Sequence, residues 1–273
     1  MKLEAGQVAV ITGAASGIGK GLADAFAARG LTVMLSDVGE EALENARADI
    51  SGKGGKVAVK RADVSKAEDV TALRDEALHA FGRVDLICNN AGISTAAHAI
   101  WEFKLEEWRK LLDVNLQGVI HGLHAFVPLL VEQGSGHVLN TASMAGVTTI
   151  AYNGPYNASK HAVVALTEGL RLEFDDIAPA LGATVLCPGL VRTNIGQGAS
   201  SAKKDGRPER KPHGGDPGTT IDVAACARMT LGAIEANALH VFTNPGSERM
   251  VRERADRLML DWPGVSESVS EAG

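Results

Sequence analysis

Short runs of β-branched and aliphatic residues recur along the chain, each followed by a stretch of helix length. The runs fall at 8–12, 32–36, 56–60, 84–88, 137–141, 184–187 and 240–243. Most are apolar at nearly every position, which suits strands covered on both faces, as in a parallel sheet between helix layers. Helical spacing fills the gaps between them. Over 19–29, Leu22, Ala25 and Phe26 share a face, and Gly30 is placed to end the helix. Over 69–81 the face is Val70, Leu73, Ala77 and Phe81. Alternating β and α elements predict an α/β fold: an open, doubly wound parallel sheet of about seven strands with helices on both faces.

No linker rich in Pro, Gly or Ser divides the first 190 residues, so 1–273 reads as one domain. The stretch 196–220 is rich in Gly, Pro and Lys/Arg and has no large apolar residue. It is too long for an ordinary connection and reads as a surface loop or as a lid over a site, the lid being preferred. The small, polar end 265–273 predicts a frayed tail.

Charge narrows the function classes. The 273 residues carry a net charge of −6, against the basic stripe expected of a nucleic-acid binder. No run reaches the ~18 apolar residues of a membrane span, and the N-terminus does not resemble a signal peptide. Cys88, Cys187 and Cys226 form no C-x-x-C, and the histidines show no ligand spacing. The expectation is reduced thiols, no bound metal, no membrane or nucleic-acid partner, and a cytoplasmic location.

Three places carry chemistry. Thr12-Gly13-Ala14-Ala15-Ser16-Gly17-Ile18-Gly19 follows a strand and opens a helix. Glycines there let backbone approach a phosphate, and the helix start offers free N–H groups. Asp37 ends the second run. It either accepts from both hydroxyls of an adenosine ribose or caps the helix that begins near Glu40. With the glycine-rich turn before it, the ribose reading is favoured. A carboxylate there repels a 2′-phosphate, and no Lys or Arg follows before Arg47, which favours NAD over NADP. Tyr156 and Lys160 are i, i+4 on a predicted helix. An ammonium near the phenol is expected to lower its pKa from about 10, so that it exchanges protons with an alcohol or carbonyl oxygen.

With these residues in place, the chain resembles the short-chain dehydrogenases/reductases, in the NAD-preferring subdivision whose chains are of this length. The resemblance runs in ordered motifs from about residue 5 to 195. It takes in the phosphate turn with Gly13, Ser16, Gly17, Ile18 and Gly19, and the sequence Asn89-Asn90-Ala91-Gly92. It continues through Asn115, Ser143, Tyr156 and Lys160 to Pro188-Gly189 with Val191 and Thr193. Asp63-Val64 resembles the family's adenine-contact pair. Ser16 stands where NADP-preferring relatives often carry a base.

The resemblance implies a Rossmann-type fold and hydride transfer between NAD(H) and a secondary alcohol or ketone. Tyr156 would be the general acid/base. Lys160 would bind the nicotinamide ribose and hold the phenol's pKa down. Ser143 would fix the substrate oxygen, and Asn115 would hold a water linking Lys160 to solvent. Ser143, Ala145 and Tyr156 would meet the substrate. Gly13, Ser16, Gly17, Ile18, Gly19, Asp37, Asp63, Val64, Asn89, Ala91, Gly92, Tyr156, Lys160, Pro188, Gly189, Val191 and Thr193 would contact the cofactor. Relatives assemble through the helices at 105–130 and 157–174, implying a homodimer or homotetramer. The end of the chain from His240 looks like the subgroup that includes lignin Cα-dehydrogenases.

Lys203, Lys204, Arg207, Arg210, Lys211 and His213 could draw an anionic substrate or simply face solvent. Ile100, Trp101 and Phe103 could wall a pocket, with Trp101 equally suited to an interface or the core. The competing readings are a dinucleotide-binding regulator without catalysis and an epimerase or dehydratase of nucleotide sugars. The intact catalytic set counts against the regulator, and the short substrate side counts against the epimerase.

Overall fold

The computed structural model describes residues 1–193, 207, 210–213 and 219–260. Seven strands form one parallel sheet: β1 Val8–Thr12, β2 Thr32–Asp37, β3 Val57–Arg61, β4 Leu86–Asn89, β5 Gly136–Thr141, β6 Leu181–Cys187 and β7 His240–Phe242. Their spatial order is β3-β2-β1-β4-β5-β6-β7, the expected Rossmann-like doubly wound α/β architecture.

The apolarity of most strands has a direct cause. Successive side chains alternate between two helix layers. Ala9 and Ile11, Val33 and Leu35, and Leu86 and Cys88 face one layer, where they pack with Leu22, Phe26, Leu43 and Leu231. Val10, Met34 and Ile87 face the other, with Leu73, Phe126, Leu130 and Phe174. The first layer comprises α1 Gly17–Ala28, α2 Glu40–Gly52 and α7 Val223–Glu235. The second comprises α3 Ala67–Phe81, α5 Gly118–Gln133 and α6 Gly154–Ile177. A short α4, Leu105–Leu112, precedes α5, and α8, Glu248–Leu260, follows β7.

Two departures from the periodicity matter. β6 starts at Leu181, because Leu181, Gly182 and Ala183 pair with Gly136, His137 and Val138. Between α4 and α5 the helix widens into a π-helical turn, Asp113–Gln117. The whole helical run Leu105–Gln133 is long and apolar enough to cross a membrane. Its apolar side lies in the sheet core, where Val119, Ala125, Phe126 and Leu130 are buried.

The three cysteines are buried and unpaired. Burial pushes the Cys187 thiol up to about 12 and Cys226 to about 11, so both are packing groups. The tail 265–273 lies outside the described residues. So does 196–220, apart from Arg207, Arg210–His213 and Thr219–Thr220.

Candidate active site

The strand order reverses between β1 and β4, and a cleft of about 540 Å³ opens at their carboxyl ends. Side chains clamp this switch point. The Thr12 hydroxyl accepts from Asn90 N (2.9 Å) and Ala91 N (3.1 Å), and Asn90 Nδ2 donates to Thr12 O (2.9 Å). Gly13, Ser16, Gly17 and Ile18 form one wall of the cleft. Ser16 sits at the N-cap of α1, yet its side chain makes no capping bond. The positive end of the helix therefore faces the cleft without its own side chain covering it, which suits a phosphate. Gly19 lies just behind this wall.

Asp37 lines the far end of the cleft. Its carboxylate accepts from Ala15 N and Gly39 N, each at 3.2 Å. Gly39 is the N-cap of α2, and that helix has no side-chain cap. Asp37 thus ties the glycine-rich turn to β2 rather than capping a first helical turn. Beside it, Asp63 and Val64 line the cleft. Ser65 donates its hydroxyl and backbone N–H to Asp63, holding that carboxyl below the usual range.

At the opposite end lie Tyr156 and Lys160, one turn apart on α6. Lys160 is 3% exposed, and burial lowers its ammonium to about 8. Its Nζ donates to Thr141 O (2.9 Å) and stands 5.7 Å from the Tyr156 ring centroid. Burial raises the Tyr156 phenol above its ordinary value, partly offset by a hydrogen bond with Ser143. The expectation of a phenol lowered by Lys160 is therefore corrected here. Desolvation disfavours the phenolate, and the ammonium is engaged by a carbonyl rather than by the phenol oxygen. The Ser143 hydroxyl accepts from Ala145 N (3.1 Å) and donates to Pro188 O (3.5 Å).

Asn115 sits in the π-helical turn and is fully buried. Its Oδ1 accepts from Ile93 N (2.8 Å), and its Nδ2 donates to Ile93 O (2.9 Å). The side chain thus pins the Gly92–Ile93 backbone beside Lys160. A Cβ built on Gly92 would stand 3.4 Å from Asn115 Oδ1 and 3.6 Å from Lys160 Nζ, so this backbone packs directly against both groups.

Ala91, Gly92, Pro188 and Thr193 line the cleft, but not every predicted residue does. Asn89 is buried on β4 and donates to Asn140 Oδ1 (2.9 Å), since alternation turns it into the layer beneath. Its neighbour Asn90 faces the cleft. Ala145 is wholly buried in the 3-10 turn Met144–Gly146 and presents no surface to a substrate; it braces Ser143 through its backbone. Gly189 and Val191 stand behind Pro188, and Val191 forms a parallel bridge with Ile221. Lining residues missed in the sequence include Ile93, Val114 and Lys110. For Val114 and Lys110 the i, i+4 spacing was the available signal.

Two of the cations that could draw an anionic substrate or face solvent are instead engaged in ion pairs. Arg207 forms a bidentate pair with Glu107 (2.7 and 2.8 Å), and Arg210 pairs with Glu102 (2.9 and 3.2 Å). Arg210 also lies 5.2 Å from the ring centroid of Tyr152, a residue held at φ 63°. Lys203 and Lys204 lie outside the described residues. Trp101 is 81% exposed, so it is not a core residue.

A doubly wound parallel sheet with a glycine-rich helix start at its switch point defines a dinucleotide-binding protein. Residues 7–204 match the model of the short chain dehydrogenase family, and the chain belongs to the short-chain dehydrogenases/reductases, a family of oxidoreductases. It is 33% identical over 262 residues to a 1-deoxy-11-beta-hydroxypentalenate dehydrogenase of Streptomyces exfoliatus, covering 95% of this chain and 90% of that one. It is 38% identical over 203 residues to a 3beta-hydroxysteroid dehydrogenase 2 of Eggerthella lenta, covering 74% and 77%. A short chain dehydrogenase/reductase from Burkholderia phymatum, solved in complex with NAD, is similar at TM-score 0.86 and 34% identity, with 96% of each chain covered. Family and neighbour together support a nicotinamide dinucleotide as the cofactor.

Proposed function

We propose that the protein is an NAD-preferring dehydrogenase of secondary alcohols, or reductase of the matching ketones, with Tyr156 as general acid/base. The observation that carries this reading is the pair Tyr156 and Lys160 at one end of a cleft whose other end holds Asp37, with Ser143 hydrogen-bonded to the Tyr156 phenol. The chain's own groups fit the cofactor. The open start of α1 suits its pyrophosphate, Asp37 its adenosine ribose, and Asp63 and Val64 its adenine. Lys160, which lines the cleft, would hold the nicotinamide ribose. When bound, the nicotinamide supplies the two-electron acceptor or donor.

The residues then divide the remaining work. Ser143 holds the substrate oxygen by a hydrogen bond and stabilises charge developing there. Tyr156 Oη takes the hydroxyl proton in oxidation and returns it in reduction. The hydrogen bond from Ser143 is what favours the Tyr156 phenolate, while Lys160 stays bonded to Thr141 O beside the ring. Asn115 keeps the Gly92–Ile93 backbone in place beside Lys160. The relatives' names point to ring-bearing secondary alcohols such as hydroxysteroids as the first substrates to try. Leu172 and Ile177 of α6, 72% and 75% exposed, support assembly as a homodimer or homotetramer through that helix.

NADH and NADPH titrations followed by fluorescence, then an absorbance assay over a panel of secondary alcohols, test the reading. Tight NADH binding with turnover is the expected result. Asp37→Ala should lower the preference for NADH over NADPH by about tenfold or more, because it removes two ribose hydrogen bonds and a repulsive charge. An unchanged ratio places cofactor selection elsewhere.

The Arg–Glu pairs carry a separate prediction. Glu102→Gln together with Glu107→Gln should raise KM for the alcohol about threefold or more, with NADH affinity within about twofold, as partly buried ion pairs are worth little more than that. A matched fall in NADH affinity would tie these pairs to the cofactor instead.

A further inference from the structure

We infer that Asn244 is a positioning residue: a single buried amide that fixes the Pro188–Gly189 turn and staples together the base of the segment leaving the sheet after β6. Asn244 follows β7, is 3% exposed and lies outside the cleft. Its Oδ1 accepts from Gly189 N and from the Thr243 hydroxyl, each at 2.8 Å. Its Nδ2 donates to Leu190 O and to Thr219 O, again at 2.8 Å. An asparagine amide has two donors and two acceptor lone pairs, and all four are used. The residue is itself held, because Ser247 donates both its hydroxyl and its backbone N–H to Asn244 O.

The two carbonyls it joins stand at opposite ends of the stretch between β6 and α7. Around them the chain closes on itself: Arg192 N donates to Ile221 O and Ile221 N to Leu190 O, both at 3.0 Å. On the other side, Pro188 lines the cleft and its carbonyl accepts from Met144 N (2.9 Å) and from the Ser143 hydroxyl. One amide therefore connects the support of Ser143 with the base of the segment beside the site. The link to the cleft rests on the cofactor reading above; the staple does not.

Two substitutions separate the two halves of the role. Asn244→Asp keeps the shape and an acceptor for Gly189 N, but sets an anionic oxygen against two carbonyls. Asn244→Ala removes all four bonds, with Asn244→Ser in its place should the alanine variant not fold. Folding is checked by circular dichroism. Tryptic cleavage after Arg192, followed by mass spectrometry, reads the staple. Binding of NADH against ADP-ribose, which lacks the nicotinamide, reads the turn.

The aspartate variant should be cut after Arg192 about tenfold faster than wild type, with NADH affinity within about threefold. The alanine variant should bind NADH about tenfold more weakly while ADP-ribose stays within about twofold. Cleavage at the wild-type rate in the aspartate variant overturns the staple. A parallel weakening of NADH and ADP-ribose overturns the turn-positioning role. Should wild type bind neither ligand, the cofactor reading falls and the positioning role at the cleft falls with it, while the cleavage arm still decides the staple.

Discussion

Tyr156→Phe is expected to lower kcat about a thousandfold while leaving NADH affinity within about threefold. Loss of a general acid/base typically costs between a hundredfold and ten-thousandfold. The substitution removes only the phenol oxygen. The ring keeps its place on α6 beside Lys160, which stays bonded to Thr141 O, so the cofactor end of the cleft is not disturbed. The pH dependence has a definite sign. Oxidation needs a base at this position, and burial raises the phenol, so alcohol oxidation should climb as pH rises and ketone reduction should climb as it falls. The phenylalanine variant should lose both slopes. Steady-state kinetics across pH, with NADH titrated by fluorescence, provides the check. A residual rate above about a tenth of wild type, or an oxidation rate that falls with rising pH, would falsify the acid/base assignment.

The sheet was legible because its five inner strands are covered on both faces. Val8–Thr12 or Leu86–Asn89 can be apolar at nearly every position only where alternate side chains meet two different helix layers. The glycine-rich turn, Asp37 and the Tyr156–Lys160 pair were legible because each depends on local spacing, which the fold then preserves. What escaped detection depends on contacts distant in sequence. The π-helical turn at Asp113–Gln117 leaves no mark on a helical pattern, and its effect shows only when Asn115 reaches Ile93. Asn89 and Asn90 are equivalent in the sequence. Alternation at the end of β4 sends one into the core and the other to the cleft. The ionisation of Tyr156 was read from the charge of its neighbour alone. Burial acts in the opposite direction and is the larger effect in this structure. The pairing of Arg207 and Arg210 with Glu107 and Glu102 spans about a hundred residues of sequence, beyond the reach of any periodicity.

Gly19→Ala tests how tightly the phosphate turn is packed. A Cβ at this position would stand 2.2 Å from Gly13 O and 2.5 Å from Asn90 Nδ2. Gly13 O is backbone in the turn itself, and Asn90 Nδ2 also holds Thr12 O across the switch point, so neither can yield without moving the cleft wall. Overpacking of this kind costs about 1–3 kcal/mol or more. That cost falls on the conformation that offers N–H groups to the pyrophosphate, so NADH affinity should drop about a hundredfold, alongside a lower melting temperature. Gly232→Ala is the matched control. It lies inside α7 with nothing within 4 Å of the added carbon, and should stabilise the helix by about 0.5–1 kcal/mol without altering NADH binding. The contrast separates crowding at the turn from a general intolerance of alanine for glycine. If Gly19→Ala binds NADH as tightly as wild type, the turn is looser than its geometry and the cofactor's pyrophosphate does not depend on it.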